Sequence, residues 1–110
     1  MRILFVCSSN LIRSPTAEHH FAGRPGIGTL SAGVGSDAIR PLTAEMVEWA
    51  DLILTMEKGY AETVRERFAE ELGDTPMVSL DVPDRFKRNA PDLIALLEQK
   101  CLRWFHPSTY

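Results

Sequence analysis

Cys7 and Arg13 bracket Ser8, Ser9, Asn10, Leu11 and Ile12, and Ser14-Pro15 follows directly. A thiol and a guanidinium at this spacing suit nucleophilic displacement at phosphorus. A short loop that turns back on itself can aim successive backbone N–H groups into one concavity, and a helix that starts just beyond it adds the positive end of its dipole. Such a nest takes a tetrahedral dianion, phosphate or sulfate, with Ser8, Ser9, Asn10, Leu11, Ile12, Arg13 and Ser14 as its phosphate-binding stretch. The donors that hold phosphate also stabilise a thiolate at the base, which makes Cys7 a nucleophile near neutral pH. Arg13 closes the loop, and its planar fork can take two oxygens of a phosphoryl group at once, a contact Lys cannot reproduce.

The Cys-x5-Arg spacing is a weak signal alone, so its placement decides. Arg2 to Val6 is a short apolar run of the kind that makes a strand buried on both faces. Ser14 reads as the N-cap of the next helix and Pro15 as its first residue, and the helix stops by Gly23. Ile27 to Ala32 predicts a second strand, Thr43 a helix N-cap, and Asp51 to Met56 a third strand. Tyr60, Val64, Phe68 and Leu72 recur every fourth residue, which predicts one helix over 59–72 with Gly73 as its stop. Met77 to Leu80 is a fourth strand, and a helix from Pro91 turns Leu93, Ile94, Leu97, Cys101 and Trp104 inward. The expected fold class is therefore α/β, a four-stranded parallel sheet with helices on both faces and a phosphate loop after strand 1. Ligands of such sheets lie at the carboxyl ends of the strands. The loops that matter are Cys7–Ser14, Ala32–Ser36, Met56–Gly59 and Asp81–Ala90.

The chain of 110 residues is 45% hydrophobic and 25% charged, which reads as one globular domain over 1–110. A net charge of −3 argues against a nucleic-acid partner. Residues 1–40 nevertheless hold four arginines against Glu18 and Asp37, so a positive corner can form around a small anion. No apolar run approaches the roughly 20 residues that span a bilayer, so no membrane association is expected. Cys7 and Cys101 sit at opposite ends with no Cys/His cluster beside either, which points away from metal, cofactor or disulfide and toward a reducing, cytoplasmic setting.

The stretch Cys7-Ser8-Ser9-Asn10-Leu11-Ile12-Arg13-Ser14-Pro15-Thr16-Ala17-Glu18 resembles the phosphate loop of the low-molecular-weight protein tyrosine phosphatases. The likeness continues through Ser31-Ala32-Gly33 and Asp51-Leu52-Ile53-Leu54-Thr55-Met56-Glu57, in order along nearly the whole chain. The resemblance implies Cys7 as nucleophile, Arg13 as phosphate clamp and Ser14 as a hydroxyl donor to the thiolate. It also implies that Asn10 holds a left-handed turn, bonded to Ser14 and Ser31, and Asn tolerates that backbone region better than most residues.

Departure of a phenol also needs an acid, and the water that later frees the phosphocysteine needs a base. The family's Asp-Pro-Tyr loop has its nearest equivalent in Asp84-Arg85-Phe86, so the resemblance implies Asp84 as general acid and Phe86, with Leu11, as the aryl pocket wall. Arg85 stands where the family has Pro, and Asp81, three residues upstream, is a rival acid. Ile12 replaces the second Cys of many members, which leaves an oxidised Cys7 without an adjacent partner. The implied function is protein tyrosine phosphatase activity on a phosphotyrosine-containing protein or aryl phosphate. Two alternatives stand beside it. One is a phosphate-binding module with little turnover; the other is an arsenate-reductase-like redox enzyme, which needs further thiols near the loop.

Cys101, at helical spacing with Leu97 and Trp104, reads as a core residue. His19, His20 and His106 read as solvated or satisfied, Asp51 as structural, and Arg85, Lys87 and Arg88 as a solvated basic rim.

Overall fold

The structure is a computed structural model, and it describes residues 1–105; His106 lies outside the described residues. Strand β1 (Arg2–Cys7) is apolar from Ile3 onward because it is one of the sheet's two inner strands. It pairs in parallel with β2 (Gly28–Gly33) on one side and β3 (Leu52–Thr55) on the other, and β4 (Met77–Ser79) pairs in parallel with β3. The order β2-β1-β3-β4 places every carboxyl end along one edge. Cys7 lies opposite Gly33, and Val6 opposite Thr55.

Alternation along the strands splits the core in two. Ile3, Phe5, Cys7, Leu52 and Leu54 face α1 (Arg13–Phe21), α5 (Pro91–Lys100) and α6 (Leu102–Phe105). Phe5, Phe21 and Phe105 stack there, the last two with ring centroids 3.9 Å apart. Leu4, Val6, Ala32 and Ile53 face Val47 of α2 (Ala44–Trp49), Val64 of α3 (Lys58–Arg67) and Leu72 of α4 (Ala69–Leu72). Helices thus cover both faces, and no described helix is long and apolar enough to cross a membrane.

The structure departs from three expectations. The helix expected over 59–72 is broken at Phe68, whose φ of −129° and ψ of 38° leave the helical region. A stripe spaced by four drifts roughly 40° around a straight helix per step, and the break returns Phe68 and Leu72 to the same apolar cluster as Val64. Ser14 is not an N-cap: the cap position is Ile12, without a side-chain hydrogen bond, and Ser14 is already helical. Its hydroxyl turns to Cys7 instead, and Pro15 costs nothing inside the first turn because that N–H has no intrahelical partner. The helix from Pro91 also divides near Cys101, which leaves Trp104 only partly buried.

Candidate active site

The end of β1 delivers Cys7 to the strand-end edge, and the connection after β2 shapes the loop that follows. Carbonyl oxygens of Cys7, Ser8 and Ser9 accept from the N–H groups of Val34, Gly35 and Ile39 at 3.0, 2.8 and 3.0 Å. In a planar trans peptide the next N–H points opposite its carbonyl, so the N–H groups of Ser8, Ser9 and Asn10 turn away from that connection. The N–H of Asn10 reaches Cys7 Sγ at 3.2 Å. This packing needs a glycine at 33, since a Cβ there would lie 2.3 Å from the Ser8 carbonyl oxygen and 2.9 Å from the Asn10 nitrogen.

Asn10 turns the loop with φ +55° and is buried behind it. Its Nδ2 donates to Ser14 Oγ at 2.9 Å and to Ser31 Oγ at 3.0 Å. Ser14 Oγ is 2.9 Å from Cys7 Sγ. Cys7 is nearly enclosed, and the space before it is a cavity of about 110 Å³ lined by Cys7, Ser9, Leu11, Ile12, Arg13 and Asp84. That is below the roughly 300 to 1,000 Å³ of pockets for drug-sized ligands, and so suits a compact anion.

The Arg13 side chain is 3% exposed, and its donors are shared out. Nη1 donates to Glu57 Oε2 at 2.6 Å and to the Val82 carbonyl at 2.8 Å, and Nη2 donates to the Tyr60 hydroxyl at 2.9 Å. Nε lies 3.7 Å from Asp84 Oδ1. Burial opposes the guanidinium's charge, but the hydrogen bonds of Glu57 and Tyr60 raise its pKa above the ordinary value. The same bond from Arg13 holds the Glu57 carboxyl below its usual range, while burial pushes the Tyr60 phenol up. Three of the five guanidinium N–H groups are engaged, leaving Nε–H and one on Nη2.

The sequence-predicted residues divide as follows. Cys7, Ser9, Leu11, Ile12, Arg13 and Asp84 meet at the cavity; Asn10 and Ser14 support it from behind, and Ser8 serves through its backbone. Phe86 is not on the lining. It is half-buried against the apolar cluster of α1 and α5, with Arg85 stacked on its ring, because that cluster offers more apolar contact than a polar cavity. Asp81 also stands apart, with φ +55° and its Oδ1 accepting from Ser79 Oγ at 3.0 Å. Glu57 and Tyr60 were not foreseen as site residues; the one usable signal is that they follow the carboxyl end of β3. Cys101 is fully buried, and burial, reinforced by Glu98, pushes its thiol up to about 12. His20 pairs with Glu98, and Asp51 accepts from the Arg2 N–H at 2.8 Å, so both hold elements together away from the cavity.

A buried cysteine in a strand-to-helix phosphate loop, closed by an arginine, defines a class of α/β phosphate-loop proteins. No protein-family model matches the chain. It is 33% identical to a protein-arginine-phosphatase of Geobacillus stearothermophilus, in an alignment covering 63% of this chain and 63% of that protein. The structure of the YwlE arginine phosphatase from the same organism superposes with a TM-score of 0.69 at 26% identity, covering 96% of this chain and 98% of that one. The tyrosine phosphatase Wzb from Escherichia coli K30, in complex with phosphate, shares the fold with a TM-score of 0.76 at 23% identity, over 94% of each chain. The solved structures that the chain resembles are thus low-molecular-weight phosphatases, with tyrosine-directed and arginine-directed enzymes both among them.

Proposed function

We propose that the protein is a cysteine-dependent phosphatase of phosphoproteins, acting on phosphotyrosine through a phosphocysteine on a single domain. The observation that carries this reading is the convergence of Cys7, Arg13 and Asp84 on one anion-sized cavity, with the Asn10 N–H aimed at the Cys7 sulfur and the Ser14 hydroxyl 2.9 Å from it.

The Cys7 thiolate attacks phosphorus as the P–O bond to the leaving oxygen breaks, and that oxygen takes the proton of the Asp84 carboxyl. The free Nε and Nη2 hydrogens of Arg13, with the loop N–H groups, take up the charge on the equatorial oxygens. In the second step a water gives its proton to Asp84 and its oxygen to phosphorus, and the S–P bond breaks. Inorganic phosphate and the thiolate remain. Asp84 is favoured over Asp81 as the proton carrier because only Asp84 lines the cavity. A nucleophile of this kind needs a reducing compartment, which supports a cytoplasmic setting.

Phosphotyrosine is supported by the half-exposed Leu11, an apolar wall beside the sulfur. Phosphoarginine is the second reading, favoured by the arginine phosphatase among the relatives. A second guanidinium would have to share Asp84 with Arg13, since Asp84 is the only acid on the lining among the described residues. Turnover of a phosphotyrosine peptide and of a phosphoarginine peptide, each with Cys7→Ser as control, tests the reading. The expected result is Cys7-dependent release with kcat/KM higher for phosphotyrosine. The opposite ranking reverses the specificity, and phosphate binding without release from either makes the protein a binding module.

A further inference from the structure

We propose that Glu18 is a positioning residue that fixes the direction of a hydrogen-bond chain ending on the Cys7 sulfur, so that Ser14 acts there as a donor. The inference deepens the reading of the same site and rests on Cys7 being its nucleophile.

Ser14 and Glu18 are one turn apart on α1 and face β2 together. From Glu18 the chain runs inward through groups almost wholly removed from water: Ser31 is 1% exposed, Asn10 6% and Ser14 0%. An ionised carboxylate can only accept. The Ser31 hydroxyl therefore gives its single hydrogen to Glu18 Oε1. Ser31 Oγ is then left to accept from Asn10 Nδ2 at 3.0 Å, and the second Nδ2 hydrogen goes to Ser14 Oγ at 2.9 Å. Having accepted, Ser14 must place its own hydrogen on Cys7 Sγ at 2.9 Å or on the Ala32 carbonyl at 3.5 Å, and the sulfur is the nearer. With the Asn10 N–H on its other side, the sulfur receives two donors, the arrangement a thiolate requires. Without the carboxylate, Ser31 is free to donate to Asn10 instead of accepting from it; the Asn10 amide can then turn over and present Oδ1 to Ser14, and the direction of the chain is no longer set.

At its outer end Glu18 meets Arg40, 3.5 Å away and half-exposed. The polarity of a buried chain is thus written by a group near the surface, about 18% exposed. The charged groups facing Cys7 across the cavity, Arg13 and Asp84, are untouched by changes at Glu18.

The test is the rate at which iodoacetamide alkylates Cys7 at pH 6, read as modification of the Cys7 peptide in the full chain. Glu18→Ala is expected to slow it about tenfold, the effect of losing one directed donor to a buried charge. Ser31→Ala is expected to do the same, and the double variant to be no slower than either alone, because both act through one chain. Glu18→Gln, which can offer Ser31 either an oxygen or an N–H, is expected to fall in between and serves if Glu18→Ala does not fold. Wild-type alkylation in folded Glu18→Ala or Glu18→Gln, or additive slowing in the double variant, overturns the proposal. Alkylation needs no turnover, so a chain with fast Cys7 alkylation but no ester hydrolysis would defeat the enzymatic reading and leave this one standing.

Discussion

Glu57 Oε2 accepts from Arg13 Nη1 at 2.6 Å and from the Tyr60 hydroxyl at 3.1 Å, while that hydroxyl accepts from Arg13 Nη2. One carboxylate and one phenol therefore grip the far edge of the guanidinium and leave its near edge to face the cavity. Truncating Glu57 to Ala adds net positive charge to the site but frees the guanidinium to rotate. The expected outcome is a kcat roughly tenfold lower, with no weakening of competitive inhibition by inorganic phosphate. Tyr60→Phe keeps the carboxylate and removes one bond to a charged group, so a fall of about threefold to tenfold is expected. Equal loss of phosphate affinity and kcat would show that these residues supply binding rather than orientation.

The same pair sets an acid limit. Hydrogen bonding from Arg13, aided by Tyr60 and opposed by desolvation, holds the Glu57 carboxyl below its ordinary 4.5. A depressed carboxylate contributes above its unfolded value and loses that contribution as pH falls through its folded one. The clamp is thus intact through pH 5, where a carboxylic acid can still donate a proton. In kcat/KM profiles, wild type and Tyr60→Phe are expected to keep the same shape between pH 5 and 7. A limb that moves into that window only in Tyr60→Phe would mean that the phenol is needed to keep Glu57 ionised there.

The two thiols are expected to differ sharply in reactivity. Burial, reinforced by Glu98, keeps Cys101 protonated up to about 12, and its side chain has no exposed surface. Cys7 opens onto the cavity between the Asn10 N–H and the Ser14 hydroxyl. Native protein treated with iodoacetamide at pH 8 should gain one adduct, on Cys7, and a second only after unfolding. Inorganic phosphate should protect the first. Two adducts on native protein would place the Cys101 helix end in a loosely packed region.

Much of this arrangement is legible in the sequence because it is local. An inner strand, a loop and a helix start are contiguous from Arg2 to Phe21, and the buried faces of β1 and β3 follow from unbroken apolar runs. What the sequence does not reveal depends on distant partners. Arg13 meets Glu57 and Tyr60 across separations of 44 and 47 residues, a convergence that parallel strand ends create and residue spacing does not encode. Ser14 looks like a helix cap until Cys7 Sγ is brought beside it. Phe86 looks like a pocket wall until the apolar cluster beneath it is counted. Asp81 and Asp84 are alike as turn formers beside Pro83, and only the direction of the backbone separates them.

Gly33 carries the contact between β2 and the loop. Its neighbours at 2.3 and 2.9 Å from a built Cβ are backbone atoms of Ser8 and Asn10, which cannot swing aside as a flexible side chain would. Gly33→Ala is expected to cost about 1–3 kcal/mol of stability through the shift this forces. Because the displaced atoms belong to the cup, phosphate binding should weaken more than tenfold even below the melting transition. Gly59→Ala has no neighbour within 4 Å of its new methyl group and serves as the control. Matching losses in the two variants would mean that glycine is needed at 33 for no reason connected with the loop.

Proton transfer by Asp84 would be separable from binding by the choice of leaving group. Para-nitrophenolate departs with little protonation, whereas phenolate does not. If Asp84 carries the proton, Asp84→Asn should lower kcat for phenyl phosphate by about 10²–10⁴ and for para-nitrophenyl phosphate far less. Removing the negative charge 3.7 Å from Arg13 Nε should also tighten inhibition by inorganic phosphate. Asp81→Asn, outside the cavity and bonded to Ser79, should leave both substrates within about twofold of wild type, the range of surface substitutions. An equal loss on the two esters in Asp84→Asn would remove the carboxyl from proton transfer, and a leaving-group-dependent loss in Asp81→Asn would move that role three residues upstream.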